Sequence, residues 1–206
     1  MFGLKPFECV MRPELQHEIA RLQSIFLAHG KSFQRRPGID EGRLASLERE
    51  LGYEFDEDLR DFYRYSEGAE PDNSWLVVGQ QWPNPLDFQS IDESLMYWFS
   101  VPFNEAHDSA LYAQLDINFR DYHDERDNRI KPGRWMHRRW WPFGGGATSF
   151  SLMFDADPAP GGRYGQIIVF YHDPDEIAYV ADSFLDFLRM SNAWQESRWK
   201  DIHCVE

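Results

Sequence analysis

The sequence predicts an α+β fold, a single domain in which helices back a twisted, mainly antiparallel sheet. Apolar residues recur at helical spacing through the first half of the 206-residue chain. The last third instead carries alternating or β-branched strand patterns separated by tight turns. The regular alternation of strand and helix that a parallel sheet requires is absent, and the 42% hydrophobic content is sufficient for one full core.

The first half of the chain carries three helical patterns in succession. Residues 13–29 place apolar side chains on one face, with a proline in the first turn and Gly30 at the end. Residues 41–51 carry leucines on one face, and Asp40 is expected to cap this helix. Residues 57–67 follow Asp56, whose carboxylate is expected to cap the helix, and two acidic residues in the first turn complement the helix dipole.

The middle of the chain predicts a strand and two more helices. The apolar run at residues 75–79 is typical of a short buried strand. Ser90 and Glu93 stand at the spacing of a capping box, so a helix is expected to begin there. A further helix is predicted over residues 105–119, followed by a loop of mixed charge.

The C-terminal third predicts strands joined by tight turns and then a last helix. Residues 149–154 alternate between apolar and small or polar side chains, the pattern of a half-buried strand. Residues 165–173 form a β-branched run suited to a central strand, and residues 177–180 form another short strand. Ser183 stands at the start of the last helix, with Asp186 at the capping spacing.

The charge balance restricts the classes of partner. The net charge is −14 and the isoelectric point is near 4.9, which disfavours nucleic acid and anionic membrane surfaces and favours a basic protein partner. Solubility alone is the alternative explanation. The segment RWMHRRWW (134–141) has the look of a single-strand nucleic-acid site, but an internal packing role fits so acidic a chain better. Trp140 and Trp141 are expected on opposite faces, the outward one as an interface anchor.

The remaining composition predicts a soluble cytoplasmic protein. Cys9 and Cys204 lie near the two ends and form no CxxC pair, so a cysteine-based zinc site is not expected, and free thiols are favoured over a disulfide. The first residues lack the pattern of a secretory signal, and no run of apolar residues is long enough to span a membrane.

Three features could carry chemistry. The glycines at 144–146 lack the strand-before, helix-after arrangement and the lysine of a phosphate-binding loop, so a turn is expected. Asp155 and Asp157, at a strand end, would share one face of a continuing strand and could hold a divalent cation, whereas Pro158 favours a turn that the aspartates order. With His172 they would form a metal-dependent hydrolase site, the least favoured of the alternatives.

An ordered series of short motifs runs through the C-terminal third. It resembles the signature of the SUKH superfamily, in the branch named for fungal cell-wall assembly regulators of the Smi/Knr type. An upstream segment, LERELGYEFDEDLRDFYRYSEGAE, is similar to the opening helices of that family, and the resemblance covers about residues 39–190. The motifs are WWPF (140–143), DADP (155–158), GRYGQII (162–168), HD (172–173) and VADSFLDFL (180–188).

The resemblance implies a binding module without a cofactor or a catalytic set. It implies a SUKH-like domain at residues 39–206. The residues before it, 1–38, are expected to form an N-terminal helical extension packed on that domain. Bacterial relatives act as immunity proteins that neutralise a cognate toxin, and fungal relatives act as scaffolds in cell-wall synthesis. The chain lacks long tails, which favours a bacterial member, and its acidity suits an inhibitor of a basic toxin.

The singled-out residues form two sets, a structural set that the resemblance indicates and a partner-binding set chosen for its negative charge, with Trp140 as an interface anchor. The structural set is expected to build the core and to order the Pro-Gly-rich connection, so that Asp157→Ala lowers stability. It comprises Trp141, Pro142, Phe143, Asp155, Asp157, Pro158, Gly165, Gln166, Ser183, Phe184 and Phe187. The candidate partner-binding set, for which plain solvation is the alternative, comprises Glu67, Glu70, Asp72, Asp121, Asp124, Glu125, Asp127 and Trp140.

Overall fold

A computed structural model describes residues 11–70, 73–79, 85–100, 127–131, 137–145, 150–171 and 176–203. Within these residues lie five helices and five strands, and the predicted α+β class is confirmed. The helices are α1 (Pro13–Ala28), α2 (Glu41–Leu51), α3 (Glu57–Tyr65), α4 (Ile91–Ser100) and α5 (Phe184–Ile202). The strands are β1 (Asp87–Phe88), β2 (Trp140–Gly145), β3 (Phe150–Asp155), β4 (Gln166–Tyr171) and β5 (Glu176–Ala181).

The five strands form one antiparallel sheet in the order β1-β2-β3-β4-β5, so each strand pairs with its neighbour in sequence. The register pairs Phe154 with Ile167 and Trp141 with Phe154. A bulge interrupts β2 between Pro142 and Gly144. Proline has no N–H to donate to the ladder, and a bulge is one of the few places where an interior strand tolerates it.

The two faces of the sheet pack differently. Alternate residues of the central strands, such as Leu152 and Phe154, belong to the main core together with the helices. Met153 points to the other face, where it packs with Trp140 in a smaller cluster. Trp141 belongs to the main core, so the two tryptophans lie on opposite faces as predicted.

The predicted helix caps are confirmed. The carboxylates of Asp40 and Asp56 accept from the backbone three residues later, at 3.0 and 2.8 Å. The Ser183 hydroxyl accepts from the Asp186 amide at 3.1 Å. Ser90 begins α4 with a reciprocal capping box shared with Glu93, with distances of 3.2 and 2.7 Å.

The predicted strand at residues 75–79 is wrong. This segment holds isolated bridge residues, Leu76 paired with Leu86 and Gly79, but no continuous strand, although residues 75–78 are buried. Side chains of α5 take over part of the hydrogen bonding that a ladder would supply: Ser191 Oγ accepts from the Val77 amide at 2.9 Å, and Gln195 Nε2 donates to the Trp75 carbonyl at 2.8 Å. A buried apolar run needs hydrogen-bond partners for its backbone groups, and here side chains supply some of them, so a strand is not required.

Helix α1 packs on α5. The Asn192 amide donates to the backbone carbonyl and the carboxylate of Glu18, both at 2.9 Å, and Arg21 forms an ion pair with Glu196 at 2.6 Å. The helix predicted over residues 105–119 lies outside the described residues. Among the helices that are described, none has the length and apolar character needed to cross a membrane.

Candidate functional site

The DADP motif centres on a buried carboxylate. Asp155 ends β3 and is 0% exposed. Its side chain accepts three hydrogen bonds, from Trp140 Nε1 at 2.9 Å, the Asp157 amide at 2.9 Å and Gln166 Nε2 at 2.8 Å. Burial raises the pKa of the Asp155 carboxyl, although these donors act in the opposite direction. The three N–H groups occupy three of the roughly four lone-pair sites of the carboxylate, and its full burial closes it to solvent.

Gln166 extends this network to two neighbouring segments. Its Nε2 also donates to the Arg129 carbonyl at 2.8 Å, and its Oε1 accepts from the Arg163 amide at 3.2 Å. Both ends of the side-chain amide are therefore assigned, and the amide cannot be reversed without placing two donors or two acceptors together. Gly165 precedes it at φ +81°, and a Cβ at this position would lie 3.0 Å from Phe154, so glycine is needed for the close approach.

Asp157 has different surroundings. The strand has ended, and its half-buried carboxylate pairs with Lys131 and lies 3.5 Å from His137 Nε2. Partial burial opposes its ionisation, but the Lys131 ammonium outweighs this and lowers the pKa of the Asp157 carboxyl. The strand on which the cation site depended ends at Asp155, and the two carboxylates have different partners: Trp140 and Gln166 for Asp155, and Lys131 for Asp157.

The structure leaves the hydrolase alternative without an assembled site in the residues that it describes. No group of three or more His, Cys, Asp or Glu side chains in that part of the chain is placed to hold a metal ion. His172, the third member of the predicted set, lies outside it.

Four aromatic residues of the predicted structural set lie in the main core: Trp141, Phe143, Phe184 and Phe187. Trp141 Nε1 donates to the Tyr63 hydroxyl at 2.9 Å between β2 and α3. Phe143 contacts Phe184 and Phe187 edge-on, with ring centroids 5.5 and 5.9 Å apart. The motif thus joins the sheet to α3 and α5.

The predicted partner-binding residues do not form one surface. Trp140 is 1% exposed and is held by Asp155, so it is part of the core instead of the outward anchor that was expected. Glu67 pairs with Arg43 at 2.9 Å, and Asp127 pairs with Arg129. Glu70 lines an open cleft. Asp72, Asp121, Asp124 and Glu125 lie outside the described residues.

This cleft, which we call the α4–β1 cleft, was not predicted. It has a volume of about 560 Å³ and combines carboxylates with an apolar surface. One feature of the sequence could have indicated it, since Met96 lies off the apolar stripe of α4. In the structure its side chain is 73% exposed. The residues that line it are Arg36, Ala69, Glu70, Asp87, Phe88, Gln89, Glu93, Met96, Tyr97 and Gly145.

The fold and the motifs together define a small α+β domain, in which helices back an antiparallel sheet that carries the WWPF and DADP motifs. The model of the SMI1 / KNR4 family (SUKH-1) matches residues 38–190, and the chain belongs to this family. It is also similar to a cell wall biosynthesis/cell cycle regulator, smi1, of Schizosaccharomyces pombe. The two are 29% identical over 107 residues, which are 50% of this chain and 20% of the relative, so the match spans about a fifth of that protein.

Proposed function

We propose that the chain is a non-catalytic protein-binding module, a cytoplasmic immunity protein of a bacterial toxin system that binds its cognate toxin domain and blocks it by occlusion. The observation that carries this proposal is the surplus of carboxylates, a net charge of −14. Such a field accelerates association with a basic protein and discourages nucleic acid. Membership of the SUKH-1 family supports a binding role.

The burial and the hydrogen bonds of the Asp155 carboxylate support a binding role over a catalytic one. Asp155 is the most deeply buried acid of the DADP motif, and its oxygens are engaged by Trp140, Gln166 and the Asp157 amide. A general acid or base must reach a substrate proton, directly or through one water. An engaged, inaccessible carboxylate instead stabilises the connection between β3 and β4.

A second candidate function is that of a scaffold or regulator in cell-wall or envelope assembly. The name of the S. pombe relative favours it, since that protein is a cell wall biosynthesis/cell cycle regulator. The two candidates differ in the number of partners. An inhibitor occludes one partner in a stoichiometric complex, whereas a scaffold holds several partners of moderate affinity.

Affinity capture from native cells distinguishes them. The tagged chain is the bait, and the captured proteins are identified after washes at low and high salt. The tag alone and an acidic protein of unrelated fold are the controls for simple ion exchange. We expect one stoichiometric partner that is toxic when expressed alone and that leaves at high salt, because screening weakens exposed charge pairs. A set of envelope-assembly proteins would establish the scaffold instead, and capture no greater than in the controls would overturn both.

A further inference from the structure

We propose that the α4–β1 cleft receives an arginine or lysine side chain of a basic protein partner, with the cation between the acidic walls and the aliphatic stem against Met96. This inference rests on the proposed function and locates its binding surface. It assigns a role to one residue singled out from the sequence, Glu70, and to three that were not: Asp87, Glu93 and Met96.

The shape of the cleft suits an inserted side chain. Its volume of about 560 Å³ lies within the range of specific binding clefts. Met96 supplies exposed apolar surface and is one of the most exposed large apolar side chains of the described residues, whereas Ala69 and Phe88, which also line the cleft, are buried. Methionine adapts its shape readily to a partner's surface.

The charges of the cleft remain unbalanced. Three carboxylates, Glu70, Asp87 and Glu93, face one guanidinium, that of Arg36. Arg36 is committed to Glu93 at 3.1 Å, and Glu93 also caps α4. Asp87 accepts from the Ser74 hydroxyl, which leaves its charge in place. Among the described residues, the Glu70 carboxylate has no ion-pair partner, so two negative charges are available to a cation.

A long cationic side chain matches both properties at once. Arginine and lysine place an aliphatic stem on apolar surface while the charged head meets carboxylates. A compact hydrated cation would gain nothing from the exposed apolar surface of Met96, and a nucleic acid would be repelled by Glu70 and Asp87. The occupant to which the cleft points is therefore a basic segment of a protein.

Charge reversal at one wall tests the proposal in the full chain. Glu70→Lys changes the cleft by two charge units without breaking an ion pair among the described residues. Glu50→Lys is the matched control, because Glu50 is exposed on the last turn of α2, does not line the cleft, and a lysine is favourable near a helix C-terminus. With the partner captured by the wild-type chain, we expect Glu70→Lys to raise Kd about tenfold or more and Glu50→Lys to raise it about twofold at most.

Photocrosslinking locates the contact independently. A photoreactive amino acid replaces Met96 in one variant and Leu27 in the other, since their exposures are closely matched at 73% and 70%. We expect crosslinks from position 96 to a partner segment with a net positive charge, and few from position 27. Thermal melts verify that all variants fold.

The outcomes separate the two levels of the proposal. A partner that binds both charge variants equally, or that crosslinks from position 27 instead of 96, overturns the cleft and leaves the proposed function standing. A crosslinked segment that is acidic or uncharged also overturns the cleft. A wild-type chain that captures no protein above the controls overturns the proposed function and the cleft with it.

Discussion

Replacing Asp155 by alanine should destabilise the fold by about 3 kcal/mol. The change removes the acceptor for two fully buried donors, Trp140 Nε1 and Gln166 Nε2, and for the partly buried Asp157 amide. A buried donor left without a partner costs about 1–3 kcal/mol, so two of them cost about 2–6 kcal/mol. Because burial already opposes the charge on Asp155, part of this loss is recovered when the charge is removed, and the net falls in the lower half of the range.

Two companion variants separate hydrogen bonding from charge. Asp155→Asn keeps the shape but turns an NH₂ group towards one of the donors. Gln166 cannot reverse its amide in response, since both ends are bonded to Arg163 and Arg129, so we expect a loss of about 2 kcal/mol. Asp157→Ala removes a half-exposed ion pair with Lys131 and should cost only about 0–1 kcal/mol.

Urea unfolding followed by tryptophan fluorescence and circular dichroism measures all three variants. Equal m-values would show that the changes act on stability and not on the compactness of the unfolded chain. A loss of less than about 0.5 kcal/mol for Asp155→Ala, the usual range for inert surface changes, would contradict the role of Asp155 as a buried acceptor. A larger loss for Asp157→Ala than for Asp155→Ala would contradict it as well.

Three further outcomes are expected. Burial raises the pKa of Asp56 from 3.8 to about 6, so the stability that this shift contributes is present below pH 3.8 and is lost as pH rises through 6. Asp56→Asn keeps a side chain that can cap the helix but does not ionise, and thermal melts across this pH range should show that the loss is gone. Burial, with the charges of His29 and Lys31, lowers the pKa of His203 from 6.5 to about 4, so stability falls as pH drops from 6.5 to 4. His203→Phe, which preserves an aromatic ring against Trp199, should flatten that fall in melting temperature; an unchanged pH profile would contradict it. Ser90→Ala should cost about 1 kcal/mol in urea unfolding through loss of the capping box, and a neutral result would show that Glu93 caps α4 alone.

Elements with a local cause were predictable from the sequence. The caps at Asp40, Asp56 and Ser183 depend on residues three positions apart, and each is present. The strands around 150–155 and 166–171 follow from alternation and β-branching within single segments. The strand predicted at residues 75–79 is wrong because α5, more than one hundred residues later, supplies part of the hydrogen bonding of this segment.

The α4–β1 cleft depends on contacts that no local pattern encodes. Glu70 and Asp87 line the same cleft because the Ala69 amide donates to the Phe88 carbonyl at 2.8 Å, which joins the residues that follow α3 to β1. Glu70 lies in no helix or strand, and Asp87 begins a strand of two residues, which is too short to show a sequence pattern. The acidic composition indicated the sign of the partner's charge, whereas the position of the cleft required the tertiary fold. The proposed extension at residues 1–38 likewise stays a prediction.

The two aspartates of the DADP motif show how far strand alternation can be carried. Side chains two residues apart share a face only while the strand continues. Here β3 ends at Asp155, whose own carboxylate accepts from the Asp157 amide two residues later, an Asx-type turn. The turn gives the Asp157 carboxylate a different partner from that of Asp155, since it forms an ion pair with Lys131. In this chain the Asp-x-Asp-Pro sequence after β3 forms a turn in which the first aspartate is buried and the second is paired at the surface.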